Sequence, residues 1–530
     1  MNSHARLGIL SLATALSLVA CHDAESEHST AASSASAPQD GGTPYSQSTD
    51  ASLGSTDASL VVPRVESDAG PVRHVDAGGV ASEPSGSPSH GTPGSTGAAP
   101  GSSDQTVRFF LPTGEPTNTA APRVEVDLHG DTHTVYPAFF HGDAFYSHCQ
   151  GDCRAPGARS VVRFETDGTI NNAMIRLTSD GRPRVLLAGA LHNYWAECDA
   201  GCDDRASWSL VQIQDHHGDL EVTGEALALD PQGRPRFLFH TYRAVLGVGQ
   251  KTPQTSLASC DANCSLPASW SFAAIAQNEL WVGSSLAYDG AGSAHVATNV
   301  FSFGDGAGEP QAAYLSCAGT CNMEHAWHGA GFFAPYESMT DVVDVHPSIS
   351  LALTHDGRPR VVQLAKTQTG DRAVVYFECD ERCTAGDNWQ TGFSLTTNTL
   401  ADGVDLALDS HDRPRFVISL NYDIALLSCD EADCLATDNW QHGFVERASD
   451  IPPDAIFLEY NCNVGGWFLH SPSLAISAAD QLRVGYEIRD ESAGGPAAAD
   501  PSMPGCVAGT DMSLSRLAAL PSVAAEVATR

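Results

Sequence analysis

Residues 350–364 read SLALTHDGRPRVVQL, two apolar runs on either side of a polar stretch centred on Asp356-Gly357. An Asp-Gly pair between alternating apolar runs is a strong short-range signal for a β-hairpin, because glycine reaches the left-handed backbone that a tight reversal needs. The next piece, AVVYFEC (373–379), is β-branched and aromatic and reads as a third strand. A cysteine loop follows, DERCTAGDN, and Trp389 opens a fourth strand, WQTGFSL. Hairpin, third strand, stapled loop and fourth strand make one antiparallel sheet.

The unit recurs. Its hairpin phrase returns as RLTSDGRPRVLL (176–187), LALDPQGRPRFLF (227–239) and LALDSHDRPRFVI (406–418), and in degenerate form as LAYDGAGSAHVAT (286–298) and LAISAADQLRVGY (474–486). The cysteine pairs recur with it, the first members being Cys149, Cys198, Cys260, Cys317, Cys379 and Cys429. A module of roughly 50–60 residues repeated in this way buries its faces only against its neighbours. Four antiparallel strands per module is the pattern of a β-propeller blade. The phrases resemble those of bacterial propeller proteins whose blades read S-L-A-L-D-x-x-G-x-P-H-[IV]-x-Y, then L-x-Y-A, then G-x-W. Arg184, Arg236, Arg360 and Arg415 replace the histidine of that pattern, which His295 alone retains. The resemblance implies a fold and no particular activity.

The first full unit runs through VEVDLHGD (124–131), THTVYPAF, DAFYSHC and VVRFET, and the last supplies only three strands, SLAIS, LRVGYEIR and MSLSRLAAL. TVRFFL (106–111) is similar to VVRFET and supplies the missing fourth. The expectation is an all-β chain: a seven-bladed β-propeller of four-stranded antiparallel blades over 106–520, its N-terminal strand closing the last blade, with a tail at 521–530. Closure of that kind removes an exposed sheet edge.

The segment MNSHARLGILSLATALSLVAC has one basic residue, Arg6, and an apolar run too short to span a bilayer, as in an export signal. Its end, Leu18-Val19-Ala20-Cys21, resembles the lipobox of bacterial lipoproteins, which implies a lipidated Cys21 at the start of the mature chain. His22 stands where an aspartate would favour the inner membrane, so the resemblance points to the outer membrane, on its periplasmic or cell-surface side. Residues 22–105 are Ser, Ala, Gly, Pro, Thr and Asp with little to bury, and read as a disordered linker. A flexible coil of that length spans on the order of 50 Å. Lys plus Arg is 28 against 64 Asp plus Glu, a formal charge of −36 that argues against nucleic acid or anionic lipid as a partner. Membrane attachment is therefore expected through the lipid alone.

Of 15 cysteines, Cys21 goes to the anchor, and six local staples pair Cys149 with Cys153, Cys198 with Cys202, Cys260 with Cys264, Cys317 with Cys321, Cys379 with Cys383 and Cys429 with Cys434. Cys462 and Cys506 remain as a seventh pair. In an oxidising compartment this is a disulfide framework; the two-residue spacing of a zinc site is missing. Trp208, Trp270, Trp327, Trp389 and Trp440 each follow the second cysteine by six positions, and Arg159 stands in that place in the first unit. The tryptophans read as packing between blades, with a sugar-stacking platform as the alternative. The GRPR arginines read as surface ion pairs with the turn aspartates Asp180, Asp230, Asp356 and Asp409; the alternative is a pore lined for an anion.

In such a blade the first and third turns lie on one face of the ring and all other links on the opposite face. The stereotyped turns share the first face, and the irregular segments share the second. Recognition is usually placed on variable loops carried by a rigid scaffold. The candidate ligand-binding residues are Phe457, Glu459, Tyr460, Trp467 and His470, followed by Tyr194, Trp195 and Tyr242. Aromatics beside one acid and one imidazole suit a carbohydrate ring; a disulfide-pinned plug over the ring entrance is the competing reading. No nucleophile elbow, metalloprotease helix, phosphate loop, dinucleotide fingerprint or calcium loop is present, and no metal or other cofactor is expected. The sequence thus favours a monomeric, non-catalytic module binding glycan or protein at the cell surface. The alternative is a propeller-type glycan hydrolase or lyase of sialidase-like architecture.

Overall fold

A computed structural model describes residues 106–114, 117–138, 142–151, 153, 155–189, 192–215, 226–241, 253–303, 310–332, 348–366, 372–397, 401–451, 467–490 and 512–521. The leader, linker and tail, and with them Cys21, Cys462 and Cys506, lie outside the described residues.

The strands form seven four-stranded antiparallel sheets, so the chain is a seven-bladed β-propeller. Blades 1 to 6 span 123–165, 170–215, 226–277, 279–331, 349–397 and 401–446, each with its strands in chain order from one edge to the other. The seventh combines Phe468–Ile476, Leu482–Asp490 and Met512–Leu520 with Val107–Phe110 as its outermost strand. Val107 pairs with Ala519 and Phe110 with Arg516, so the ring is closed by an N-terminal strand as the sequence suggested.

Each hairpin turns on a left-handed residue. Gly357 has φ +83° and donates its backbone N–H to the Thr354 carbonyl at 2.8 Å, which is why glycine recurs there. Blades 6 and 7 place Asp412 and Asp480 in that conformation instead, at φ +60° and +57°. Their carboxylates are used across the ring: Asp412 accepts the His355 backbone N–H at 2.9 Å and Asp480 that of Ser410 at 2.8 Å, tying adjacent turns together.

The cysteine loops share one construction. Disulfides join Cys149 to Cys153, Cys198 to Cys202, Cys260 to Cys264, Cys317 to Cys321, Cys379 to Cys383 and Cys429 to Cys434, with Cα atoms 5.6–5.8 Å apart. The extra residue between Cys429 and Cys434 leaves that spacing unchanged, because the loop absorbs it. Of the second cysteines, Cys153, Cys264, Cys321 and Cys434 are buried, while Cys202 and Cys383 are half-buried at the edge of the cores between blades. A single 3-10 turn leads from each loop into the fourth strand. The indole N–H of Trp208, Trp270, Trp327, Trp389 and Trp440 donates to the carbonyl of the second cysteine, six residues back, at 2.7–3.1 Å. The rings then pack across the blade interface. Trp208 lies edge-on to Tyr146 of blade 1 at 4.7 Å, Trp270 to Trp195 of blade 2 at 5.3 Å, and Trp440 to Tyr376 of blade 5 at 5.1 Å. Arg159 keeps the pattern in blade 1 by placing its guanidinium 4.6 Å over Phe109 of the closing strand.

The arginine expectation is corrected in half. The first arginine of each GRPR or DRPR phrase pairs with its turn aspartate, Arg234 with Asp230 at 2.6 Å and Arg413 with Asp409 at 2.7 Å. The second, buried in Arg236, Arg360 and Arg415 and half-buried in Arg184, clamps the hairpin to the cysteine loop. Arg415, 1% exposed, donates to the carbonyls of Pro414 at 3.0 Å and Cys429 at 2.5 Å, and to Asp409 and Asp430. Arg184, Arg236 and Arg360 repeat the bond to the first cysteine's carbonyl at 2.7–3.2 Å. Acceptors fixed by the strand backbone are what permit a charge to sit this deep. The register also adds a histidine: His133, paired with Glu125 as His295 is with Ala287, occupies the same place and reaches the Tyr146 hydroxyl at 2.7 Å.

A charged central channel as the candidate functional site

The first strands of all seven blades surround a central cavity of about 320 Å³. Aligned by their pairing to the second strands, their last four residues read RVEV (123–126), MIRL (174–177), ALAL (226–229), SLAY (285–288), SLAL (350–353), DLAL (405–408) and SLAI (473–476). Side chains alternate along a strand, so the first and third letters form two rings around the channel. The ring nearer the variable face is Arg123, Met174, Ala226, Ser285, Ser350, Asp405 and Ser473. The ring nearer the Asp-Gly turns is Glu125, Arg176 and five alanines.

Most polar groups of the first ring are committed to the architecture. An innermost strand has one unpaired edge, and its backbone N–H groups need acceptors. Ser473 Oγ accepts the Val124 N–H at 3.1 Å, Ser350 Oγ that of Leu406 at 3.0 Å, and Asp405 Oδ2 that of Leu474 at 2.8 Å. Ser350 in turn donates to Asp405 Oδ1 at 3.0 Å. In the second ring Arg176 donates to Glu125 at 2.6 Å and to the Ile175 carbonyl at 3.1 Å. Arg123 differs: no described residue accepts a hydrogen bond from its guanidinium, and only the charge of Asp405 acts on it favourably.

Enclosure by protein works against the charges of Arg123, Glu125 and Asp405. Burial lowers the pKa of Arg123, opposed by Asp405. Burial raises Glu125, opposed by Arg176, and raises Asp405, opposed by Arg123. Yet the Arg176 and Glu125 side chains keep 43% and 25% of their surface open, because they line space instead of filling it. Two cations and two anions leave the set neutral overall.

The residues singled out from sequence are distributed otherwise. Trp195 is fully buried between blades 2 and 3, with its indole N–H on Glu197 at 2.9 Å. The Tyr194 hydroxyl is held by the Asp167 backbone at 3.0 and 3.1 Å. Trp467 is 5% exposed within the core between blades 6 and 7, and His470 is 6% exposed at the start of the last blade. Packing thus accounts for Trp195 and Trp467, and these four are not gathered around the channel. Phe457, Glu459, Tyr460 and Tyr242 lie outside the described residues. Sequence reading passed over Arg123, Glu125, Arg176 and Asp405, although each breaks the SLAL phrase with a charge where the other units have serine or small apolar residues.

Asp409, His411 and Asp480 bring ligand atoms within 4.8 Å of one another on the turn face. Asp409 already receives Arg413 and Arg415 at 2.7 and 2.9 Å, and two guanidinium groups there oppose a cation.

No family model matches the chain, and no curated protein matches it. Among solved structures it is similar to the polysaccharide lyase Uly1 (9% identity, 78% of this chain and 92% of that one, TM-score 0.41). It is similar also to a Penicillium chrysogenum alpha-L-arabinanase complexed with arabinobiose (13%, 64% and 97%, TM-score 0.37) and to the Dos1 propeller (10%, 77% and 78%, TM-score 0.37). These are distant likenesses, and no residue role is carried over from them.

Proposed function

We propose that the protein is a non-catalytic binding module, acting as a single ring, that recognises glycan or protein through the face opposite the Asp-Gly turns. The observation that carries this is the commitment of both channel carboxylates. Glu125 is held by Arg176, and Asp405 by the Leu474 N–H and Ser350, so neither stands free as an acid or base among the described residues. The turn face is likewise occupied by its own staples, clamps and ion pairs. The links of uneven length leave strand ends on the other face.

The leader carries the second half of the reading: a lipoprotein held by Cys21 at the outer membrane, with residues 22–105 as the tether. Palmitate incorporation into the full chain, abolished by Cys21→Ser, is the expected result; labelling that survives the substitution overturns it. For the ring, a glycan array and a surface-protein screen with the purified protein are expected to return ligands that remain intact after prolonged incubation. Product formation from any of them shifts the assignment to a hydrolase or lyase.

A further inference from the structure

We propose that Arg123 anchors a site in the central channel for a ligand bearing a single carboxylate, with a sugar acid as the class that fits. The inference rests on the binding-module reading and names its ligand chemistry.

Arg123 presents a planar fork of N–H donors inside a cavity of about 320 Å³, and no described protein group accepts from it. Arg123 is half-buried, so water reaches its donors, and a ligand that displaces that water has to supply acceptors in its place. The shape of that donor set matches a carboxylate in bidentate fashion. Charge then narrows the choice. Asp405 occupies the equivalent position two blades away in the same ring, and Glu125 the next ring down, so a second negative charge on the ligand meets two anions. A monoanionic carboxylate is favoured over a phosphate dianion.

The rest of the first ring is divided. Met174 and Ala226 follow Arg123 as an apolar arc, and Ser285, Ser350, Asp405 and Ser473 complete a polar one. Ser285 has only a long contact of 3.4 Å to the Leu351 carbonyl, which leaves its hydroxyl able to turn toward a ligand. A sugar ring has one apolar face and a rim of hydroxyls, and the cavity is at the lower end of the volumes that hold small ligands.

The test is equilibrium titration of the intact protein with D-galacturonate and D-glucuronate, with their methyl esters and with inorganic phosphate. At least one acid is expected to bind about tenfold or more tightly than its own ester, since the ester keeps shape and loses charge. Arg123→Gln brings that acid to the ester's level, and Arg123→Lys falls between. Equal affinity for acid and ester on the unaltered protein, or no binding of either acid, overturns the inference without need of a variant. Phosphate competing as well as the better acid overturns the carboxylate assignment. A glycan screen that returns only neutral ligands indifferent to Arg123→Gln leaves the binding module standing and removes this site.

Discussion

The tryptophans are held at one atom as firmly as by their bulk. Each buries a ring against the preceding blade and satisfies the carbonyl of a disulfide cysteine. Trp270→Phe keeps most of the ring and strands the Cys264 carbonyl, so a loss of about 1–3 kcal/mol is expected in urea unfolding. A loss as small as that of an exposed substitution would show that the indole bond contributes nothing. Histidines set a pH limit at the same scale. Burial pushes His240 down to about 4, and burial, then the charge of His148, pushes His133 to about 4. The unfolded chain protonates these rings near pH 6.5 while the folded chain resists until about 4. Their contribution is therefore complete above 6.5 and is lost as pH falls through that window, roughly 3 kcal/mol for each. The urea midpoint should drop between pH 7 and 4, and His240→Gln should flatten part of the drop. Sequence periodicity placed the tryptophans between blades. It could not tell Arg413 from Arg415, because two residues apart they point to the same side of the phrase, and only three-dimensional pairing shows that Arg415, inside the strand, meets Cys429 while Arg413 stays on the turn with Asp409.

Two devices tie the hairpin to the outer loop in the same blade, and their sizes differ. A disulfide closing so short a loop removes little chain entropy, about 2 kcal/mol from loop closure alone. The buried arginine behind it contributes more: removing Arg415 leaves the Pro414 and Cys429 carbonyls without that donor and takes from the buried Asp409 one of its two guanidinium partners, a change of about 3 kcal/mol. Arg415→Leu is accordingly expected to destabilise more than Cys429→Ser with Cys434→Ser, both measured by urea unfolding under non-reducing conditions. The reverse order would make the staple the principal restraint. At this scale the hairpins and the third and fourth strands were legible from apolar alternation and Asp-Gly turns. The channel rings were not, because a charge at the first or third letter of SLAL changes no propensity signal. Only the radial assembly of seven such letters gives Arg123 and Asp405 a common address.

The ring as a whole is sealed where its repeat is least regular. Blade 7 has no described cysteine loop, and a buried polar cluster crosses the apolar core that it shares with blade 6. Glu446, 3% exposed, receives Arg516 at 2.6 and 2.7 Å and the Tyr486 hydroxyl at 2.5 Å, and Arg516 also lies 4.6 Å under Phe110 of the closing strand. The blade count was legible because units can be counted, and the closure because the count left one spare strand at its start and a last unit one strand short. The polar seam was not, since Glu446 and Arg516 are 70 residues apart and belong to no repeated phrase. The closing strand does more than complete a count. Its loss exposes the edge of Met512–Leu520, removes the Phe110 ring that covers Arg516 and uncovers the core that the buried Leu111 covers. Deletion of residues 1–113 should therefore lower the melting temperature and promote aggregation relative to deletion of 1–105, since an unpaired edge recruits other chains. A peptide of residues 106–113 added in trans should restore part of the difference by pairing with that edge. Equal melting of the two truncations, or no response to the peptide, would mean that the ring holds without its seal.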